Sequence, residues 1–223
     1  MSHLNRILLA SSILLFLALP AAAQEKPRHA IPDSVFYLMP SFAPGYIWFR
    51  GQAPAQGKLN ICAVDNTLRF IGKDGEELSA SQEDNIVKVR IDTATFIRHD
   101  DVYYRIYPFS ADLGVALRRR VRVEMDAKEA GYGTTSQTSA TRQYSTIYAD
   151  GALYNLDSDK SYPYDVTEEI FLYKGETVSP LTKKNLRKLF PSRKDEIDAW
   201  FKSGNSLPET VEGALSLLSL WAN

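Results

Sequence analysis

The strongest constraint on the fold is a two-residue alternation of apolar and polar side chains through the middle of the chain. In residues 85–92, NIVKVRID, aliphatic side chains alternate with charged ones. A strand points successive side chains to opposite faces, so this period is typical of a β-strand with one apolar face. The stretches 45–52 and 113–125 repeat it, and turn signals such as GKDG separate the apolar runs. The pattern therefore predicts antiparallel β structure.

The stretch RHDD, residues 98–101, lies between two predicted strands and contains a histidine. Two adjacent aspartates favour a turn, because Asp side chains hydrogen-bond nearby backbone N–H groups. The functional alternative is that His99 acts as a general base, which requires a nucleophile and an orienting group within reach. We interpret the stretch as the tip of a β-hairpin.

Near residue 180 the apolar period changes to that of a helix. Ile197, Trp200 and Phe201 are spaced along one helical face. We therefore predict an antiparallel β domain at 35–178 and a C-terminal helical subdomain at 179–223, packed on or beside it. The predicted fold class is mainly β, an antiparallel sandwich or partly open barrel with a small helical tail, and α+β overall.

The first 23 residues are typical of a signal peptide. Arg6 precedes the apolar run ILLASSILLFLALP, and three alanines then allow cleavage before Gln24. The run is shorter than the roughly 20 residues that a transmembrane helix needs, and no cysteine at the cleavage point offers a lipid attachment site. We expect a periplasmic or secreted protein without a transmembrane segment or lipid anchor, beginning with a flexible leader at 24–34.

Charge and cysteine content limit the function classes. The chain has 26 Lys and Arg against 27 Asp and Glu, so no overall field attracts nucleic acid and we expect no such partner. Cys62 is the only cysteine, which rules out a disulfide within the chain and a thiolate zinc site. Residues 156–168 space acidic side chains like a calcium loop, but Tyr162 stands where that loop needs glycine. We predict no metal and no cofactor.

One candidate binding surface is a row of three arginines. Arg118, Arg120 and Arg122 alternate along a predicted strand, so they share one face at roughly 6–7 Å intervals. They either pair with acidic residues of neighbouring strands or form a site for phosphate, carboxylate or an acidic glycan, which Arg binds bidentately.

A second candidate surface is the row Tyr46, Trp48 and Arg50, which the same period places on one side of a strand. Exposed aromatic rings can stack on a sugar ring or on a partner's side chain. The alternative is that this face packs beneath the C-terminal helices, because aromatic side chains are frequent in cores.

Two longer stretches share an order of motifs. Residues 171–201, FLYKGETVSPLTKKNLRKLFPSRKDEIDAWF, run from an aromatic strand through a KG turn to a Lys-rich helix, and residues 57–78 read GKLNICAVDNTLRFIGKDGEEL. Together they resemble uncharacterised exported β-rich proteins of Bacteroidetes-type Gram-negative bacteria. The resemblance implies an envelope location. It implies no catalytic residue, because that group has no known activity.

These observations predict an exported envelope protein that is a non-enzymatic binding or assembly module, with an envelope protein or an anionic glycan as partner. The alternative is a hydrolase that acts on an envelope or extracellular polymer. Its catalytic groups would be a carboxylate pair, which needs no local spacing, or Cys62 with His99. We assign no residue as catalytic.

Overall fold

The computed structural model describes residues 31–81, 83–123, 146–149, 152–155 and 162–222. The predicted signal peptide and most of the predicted leader lie outside these residues. So do residues 126–142, where the alternation stops and small polar residues such as those of GYGTTSQTSATR predict a long loop or a hairpin end. The described strands are β1 (Ala43–Phe49), β2 (Ala55–Ile61), β3 (Leu68–Ile71), β4 (Glu77–Ser79), β5 (Ile86–Ile91), β6 (Ala94–His99), β7 (Val102–Pro108), β8 (Leu113–Val123), β9 (Thr146–Ala149), β10 (Ala152–Asn155), β11 (Tyr164–Lys174) and β12 (Thr177–Pro180). The α-helices are α1 (Asp33–Phe36), α2 (Lys183–Leu189), α3 (Lys194–Lys202) and α4 (Val211–Ser219).

Ten of these strands form one sheet in the order β12-β11-β8-β7-β6-β5-β1-β2-β3-β4, and β9 pairs with β10. Every strand pair is antiparallel. The predicted fold class, an antiparallel β structure followed by a small helical region, is confirmed. Strand β12 ends at Pro180, two residues beyond the predicted end of the β domain.

The sheet curls into a partly open barrel. Strands β3 and β7 are five positions apart in the sheet, which is roughly 24 Å in a flat sheet. Nevertheless, the Glu83 carboxylate accepts hydrogen bonds from the backbone N–H of Leu68 on β3, at 3.2 Å, and from the hydroxyl of Tyr103 on β7, at 2.9 Å. The backbone N–H of Val121 on β8 also reaches the carbonyl of Ala63, at 3.3 Å. These contacts require strong curvature.

One apolar core lies on the concave side of the sheet, inside the barrel, and a second lies beneath the C-terminal helices. Inside the barrel, Leu59, Val89, Phe96 and their neighbours form the first cluster. The helices place Leu186, Ile197 and Leu218 against Val115 and Leu172 in the second cluster. Thr182 caps α2 by accepting a hydrogen bond from the Asn185 N–H, at 3.2 Å. The helical tail therefore packs on one side of the sheet, as its apolar faces require.

The hairpin tip predicted around His99 is present. His99 pairs with Val102, so the turn consists of Asp100 and Asp101 alone. Their φ angles are 47° and 61°, in the left-handed region that Asp tolerates better than most residues. A two-residue turn of this hand fits the twist of a hairpin.

The described residues before β1, 31–42, pack across one side of β2 and β3, and we call them the N-terminal segment. Ile31 is 1% exposed and Phe36 is fully buried, although Ile31 falls within the segment predicted as a flexible leader. The Asn60 side chain holds this segment by hydrogen bonds to the backbone of Met39, at 3.1 and 3.0 Å. Ile31, the first described residue of the predicted leader, is thus anchored in the core, whereas Pro32, Asp33 and Ser34 are exposed.

None of the helices in the described residues combines the length and apolar character needed to cross a lipid bilayer.

Candidate functional site

The two predicted candidate surfaces lie on the same face of the sheet. Directly paired residues of antiparallel strands point to the same side, and the register can be followed across five strands. Tyr46 pairs with Arg90, Arg90 with Thr95, Thr95 with Ile106 and Ile106 with Ala116. From Ala116, steps of two residues along β8 lead to Arg118, Arg120 and Arg122, so the three arginines lie on the same side as Tyr46. We call this side of β1, β5–β8 and β11 the outer face.

The arginine row is partly neutralised by one carboxylate. Glu169 of β11 lies directly opposite Arg118. Its Oε2 accepts hydrogen bonds from Arg118 Nε, at 2.8 Å, and from Arg120 Nη2, at 3.3 Å. The hydrogen bonds from Arg118 are the main reason why the pKa of Glu169 is lowered. Arg122 lies opposite Asp165 and is exposed. Acidic pairing, one of the two alternatives for this row, therefore accounts for Arg118 and Arg120.

The aromatic row is held by basic residues of the adjacent strand. The rings of Tyr46 and Trp48 lie side by side, with centroids 6.0 Å apart. Lys88 Nζ is 4.4 Å from the Trp48 ring centroid, and Arg90 Cζ is 5.1 Å from that of Tyr46. These distances are typical of cation–π contacts. Tyr46 is 41% exposed, and the helices pack on the opposite side of the sheet, so this row is not packed beneath the C-terminal helices.

Arg50, the third residue of the predicted row, lies one residue beyond strand β1 and not on it. The register between β1 and β5 shifts between Trp48 and Phe49, and β1 ends at Phe49. Val87 is the extra residue of this bulge, which therefore lies on β5. Arg50 is exposed in the turn after β1, where its backbone N–H donates to the carbonyl of Asn85 at 2.7 Å.

Apolar side chains separate the two groups of cations on the outer face. This apolar strip includes Ile97, Tyr104 and Phe171. The rings of Tyr104 and Phe171 meet edge to face, with their centroids 5.1 Å apart. Strands β5 and β8, which carry Arg90 and Arg118, are three positions apart, or roughly 14 Å between strands. The outer face therefore presents cations at both ends of an apolar strip.

Basic residues outnumber acidic ones on the outer face. The strand register places five basic side chains and two carboxylates on this side of the sheet: Lys88, Arg90, Arg118, Arg120 and Arg122, with Asp165 and Glu169. The whole chain has a formal net charge of −1. The outer face thus differs in sign from the protein as a whole and attracts anions locally.

The same face continues over β2–β4, but there the N-terminal segment covers it. Asn60 pairs with Arg69, whose side chain is fully buried. Arg69 binds Asp65 at 2.7 Å and lies 4.0 Å from Glu77. The Tyr37 hydroxyl donates to both carboxylate oxygens of Glu77, at 2.9 and 2.8 Å. Burial, followed by the adjacent Glu77 carboxylate, raises the pKa of Tyr37. This network is a buried structural one.

A polar pocket of about 450 Å³ opens at the barrel rim, beside the β6–β7 hairpin tip. Asp65, Glu83, Arg98 and Asp101 are among its lining residues. Burial raises the pKa of Glu83 to about 7, against the lowering effect of the hydrogen bond from Tyr103 and of Arg98. Arg98 also contacts Asp101, at 3.0 Å. A carboxyl group with this pKa can exchange a proton near neutral pH.

Cys62 and His99 are poorly placed to act as a nucleophile and base. Cys62 is fully buried under the N-terminal segment, and burial raises the pKa of its thiol well above the usual value. A reactive thiol requires the opposite, a lowered pKa and an accessible position. His99 lies at the hairpin tip, 3.5 Å from the Asp100 carboxylate. No contact between Cys62 and His99 occurs among the described residues.

The described residues contain no group of three or more His, Cys, Asp or Glu side chains that could hold a metal ion. Comparisons with protein-family models, with curated proteins and with solved structures found no match.

Three residues that the geometry brings to the candidate sites were not predicted as site residues. Lys88 and Arg90 already alternate with apolar residues in the sequence, so that pattern places them on a polar strand face. It does not say that β5 pairs with β1 beside the aromatic row. Glu83 lies in a turn without any periodic signal, and only the curvature of the sheet brings it to Leu68 and Tyr103.

Proposed function

We propose that this protein is a non-enzymatic binding module of the cell envelope and that its outer face binds an anionic polysaccharide. The observation that supports this proposal is the row of Tyr46 and Trp48, flanked by Lys88 and Arg90. A sugar ring has apolar C–H faces that stack on aromatic rings, and carboxylate or sulfate groups pair with ammonium and guanidinium groups.

The spacing of the cations favours a polymer over a single sugar. Arg90 and Arg118 lie on strands that are roughly 14 Å apart, and the apolar strip lies between them. An extended oligosaccharide can contact both cations and the strip at once. An acidic protein segment is the competing partner. Clusters of Arg recognise acidic segments as well, but such a segment leaves the rings of Tyr46 and Trp48 without a specific role.

The envelope location in this proposal rests on the first 23 residues and on the resemblance to exported proteins. Both are arguments from sequence. Intact mass spectrometry of the protein recovered from cells would test the location, and the expected mature chain begins at Gln24.

The binding proposal can be tested by titrating the protein with polygalacturonate, using neutral dextran as the control polymer. We expect saturable binding to polygalacturonate only. Trp48→Ala should weaken it about tenfold, because it removes an aromatic contact and the support of Lys88. The matched control is Tyr164→Ala, since Tyr164 is 39% exposed and lies on the other side of the sheet.

Equal losses in the two variants would show that the aromatic row is not the binding surface. Preferential binding of an acidic peptide over polygalacturonate would favour a protein partner.

A hydrolase is the second candidate, and the rim pocket is the observation that favours it. Glu83, with a pKa of about 7, has the proton affinity of a general acid. Both of its carboxylate oxygens already accept hydrogen bonds within the protein, which is why we rank this candidate second. If it is correct, the protein cleaves the polymer and Glu83→Gln abolishes cleavage without loss of binding.

A further inference from the structure

A second concentration of positive charge lies on the helical side of the sheet, away from the outer face. The side chains of α2 and of the turn after it form an open cleft of about 700 Å³. Five basic residues and a proline line it: Lys183, Lys184, Arg187, Lys188, Lys194 and Pro191. No acidic residue is among the lining residues. We call this feature the basic cleft.

The amphipathic character of α2 explains why its charges point outward. Leu186 is fully buried and Phe190, which follows the helix, is 9% exposed. Both belong to the core beneath the helices. Lys184, Arg187 and Lys188 are exposed on the other side of the helix. The packing that holds α2 on the sheet thus presents its basic residues to solvent.

One neighbouring carboxylate neutralises part of the basic cleft. Asp198 of α3 binds Lys183 Nζ at 2.8 Å and lies 3.8 Å from Arg187 Nη2. The hydrogen bond from Lys183 is the main reason why the pKa of Asp198 is lowered. Lys184, Lys188 and Lys194 make no ion pair with any described residue.

The chemistry of the basic cleft favours a surface that carries many anions. Four of its five cations are lysines, whose ammonium groups attract anions without the fixed fork of Arg. The cleft is also wide for one phosphate ion, and its cations are spread over α2 and the start of α3. Clusters of four to eight basic residues on a helix are typical of proteins that bind anionic lipid headgroups.

We propose that the basic cleft binds the phosphate groups of an anionic phospholipid surface. This site is separate from the outer face and goes beyond the proposed glycan binding. Because the helices pack on the opposite side of the sheet from the outer face, a protein attached through the cleft keeps the outer face directed away from the lipid surface.

The test is co-sedimentation of the full chain with vesicles at low ionic strength. Vesicles of phosphatidylcholine that contain phosphatidylglycerol are compared with vesicles of phosphatidylcholine alone. We expect binding only to the former, with loss at high salt because screening weakens such attraction. Lys188→Gln should weaken binding about fivefold, and Lys184→Gln/Lys188→Gln about 25-fold, since each basic residue near the surface contributes a similar factor.

The matched control is Lys73→Gln, which removes one exposed lysine from the β3–β4 turn and should leave binding unchanged. The variant Lys184→Arg/Lys188→Arg should bind like the wild type, because arginine keeps the positive charge at both positions. Circular dichroism would verify that each variant is folded. Equal losses in Lys188→Gln and Lys73→Gln, or equal binding to both vesicles, would overturn the proposal.

Two further experiments distinguish lipid phosphate groups from other sources of phosphate. Tight binding of soluble pyrophosphate without vesicle binding would assign the cleft to a small phosphate ligand and overturn the membrane proposal. Preferential binding of single-stranded DNA would overturn it as well. None of these results depends on the residues of the outer face, so failure here leaves the polysaccharide proposal standing.

Discussion

The exposed and the covered parts of one sheet face contain the same kinds of side chain in different surroundings. On the exposed part, Arg90 lies over Tyr46 and is exposed. On the covered part, Arg69 is fully buried and held by Asp65 and Glu77. A buried charge needs partners, whereas an exposed one is stabilised by water. The difference teaches that only the exposed cations remain available to a ligand, while the buried ones stabilise the fold.

The largest expected effect is on the covered part. Arg69→Leu should destabilise the protein by about 3–5 kcal/mol, because it leaves two buried carboxylates without their cation. Arg120→Gln is the matched change on the exposed part and should cost less than about 1 kcal/mol, since that side chain is 57% exposed. Urea unfolding of both variants measures the contrast. Similar costs in the two variants would break the comparison.

The next effect is a pH dependence at the barrel rim. The pKa of Glu83 is about 7 in the folded protein, against an ordinary value of 4.5. Because the folded state binds the proton more tightly, the stabilisation is present at low pH and is lost as the pH rises through 7. Between pH 5 and pH 8 the loss is up to about 2.5 kcal/mol.

The measurement is the free energy of unfolding at both pH values in the wild type and in Glu83→Gln. Glutamine does not titrate, so the variant should lose less stability than the wild type over this interval. Glu168→Gln, an exposed carboxylate on β11, should behave like the wild type. A variant that follows the wild-type pH profile would contradict the assignment to Glu83.

Two neighbouring tyrosines allow a smaller and sharper test. Tyr103 points into the barrel, where its hydroxyl donates to Glu83 at 2.9 Å, whereas Tyr104 belongs to the apolar strip of the outer face. Tyr103→Phe should cost about 1–2 kcal/mol, because a buried carboxylate loses a donor. Tyr104→Phe should cost about 0.5 kcal/mol or less. Thermal unfolding of both variants measures the contrast. Equal decreases in Tm for Tyr103→Phe and Tyr104→Phe would contradict the difference between the two sides of β7.

The sequence was sufficient for features that depend on neighbouring residues. The alternation around Val89 predicted β5, and two adjacent aspartates predicted the turn at Asp100–Asp101. The apolar spacing of Ile197 and Trp200 predicted a helix. In each case the side chains that decide the structure lie within a few residues of one another.

Features that depend on distant residues could not be predicted in this way. The bulge at Val87 depends on the pairing of β5 with β1, which lies more than thirty residues upstream. The pocket around Glu83 needs β3 and β7 to meet through the curvature of the sheet. Burial of Arg69 requires the N-terminal segment to cross β2 and β3. Sequence periodicity contains no information about these long-range contacts.

The most direct test of the central claim uses two arginines that each lie over a tyrosine on opposite sides of the sheet. Arg90 Cζ is 5.1 Å from the Tyr46 ring centroid on the outer face, and Arg105 Cζ is 5.2 Å from that of Tyr107 on the helical side. Titration of polygalacturonate into Arg90→Gln and Arg105→Gln compares them. We expect Arg90→Gln to weaken binding about tenfold, because it removes one charged contact, and Arg105→Gln to bind like the wild type. Equal affinities in the two variants, or a larger loss in Arg105→Gln, would contradict the assignment of the outer face as the binding surface.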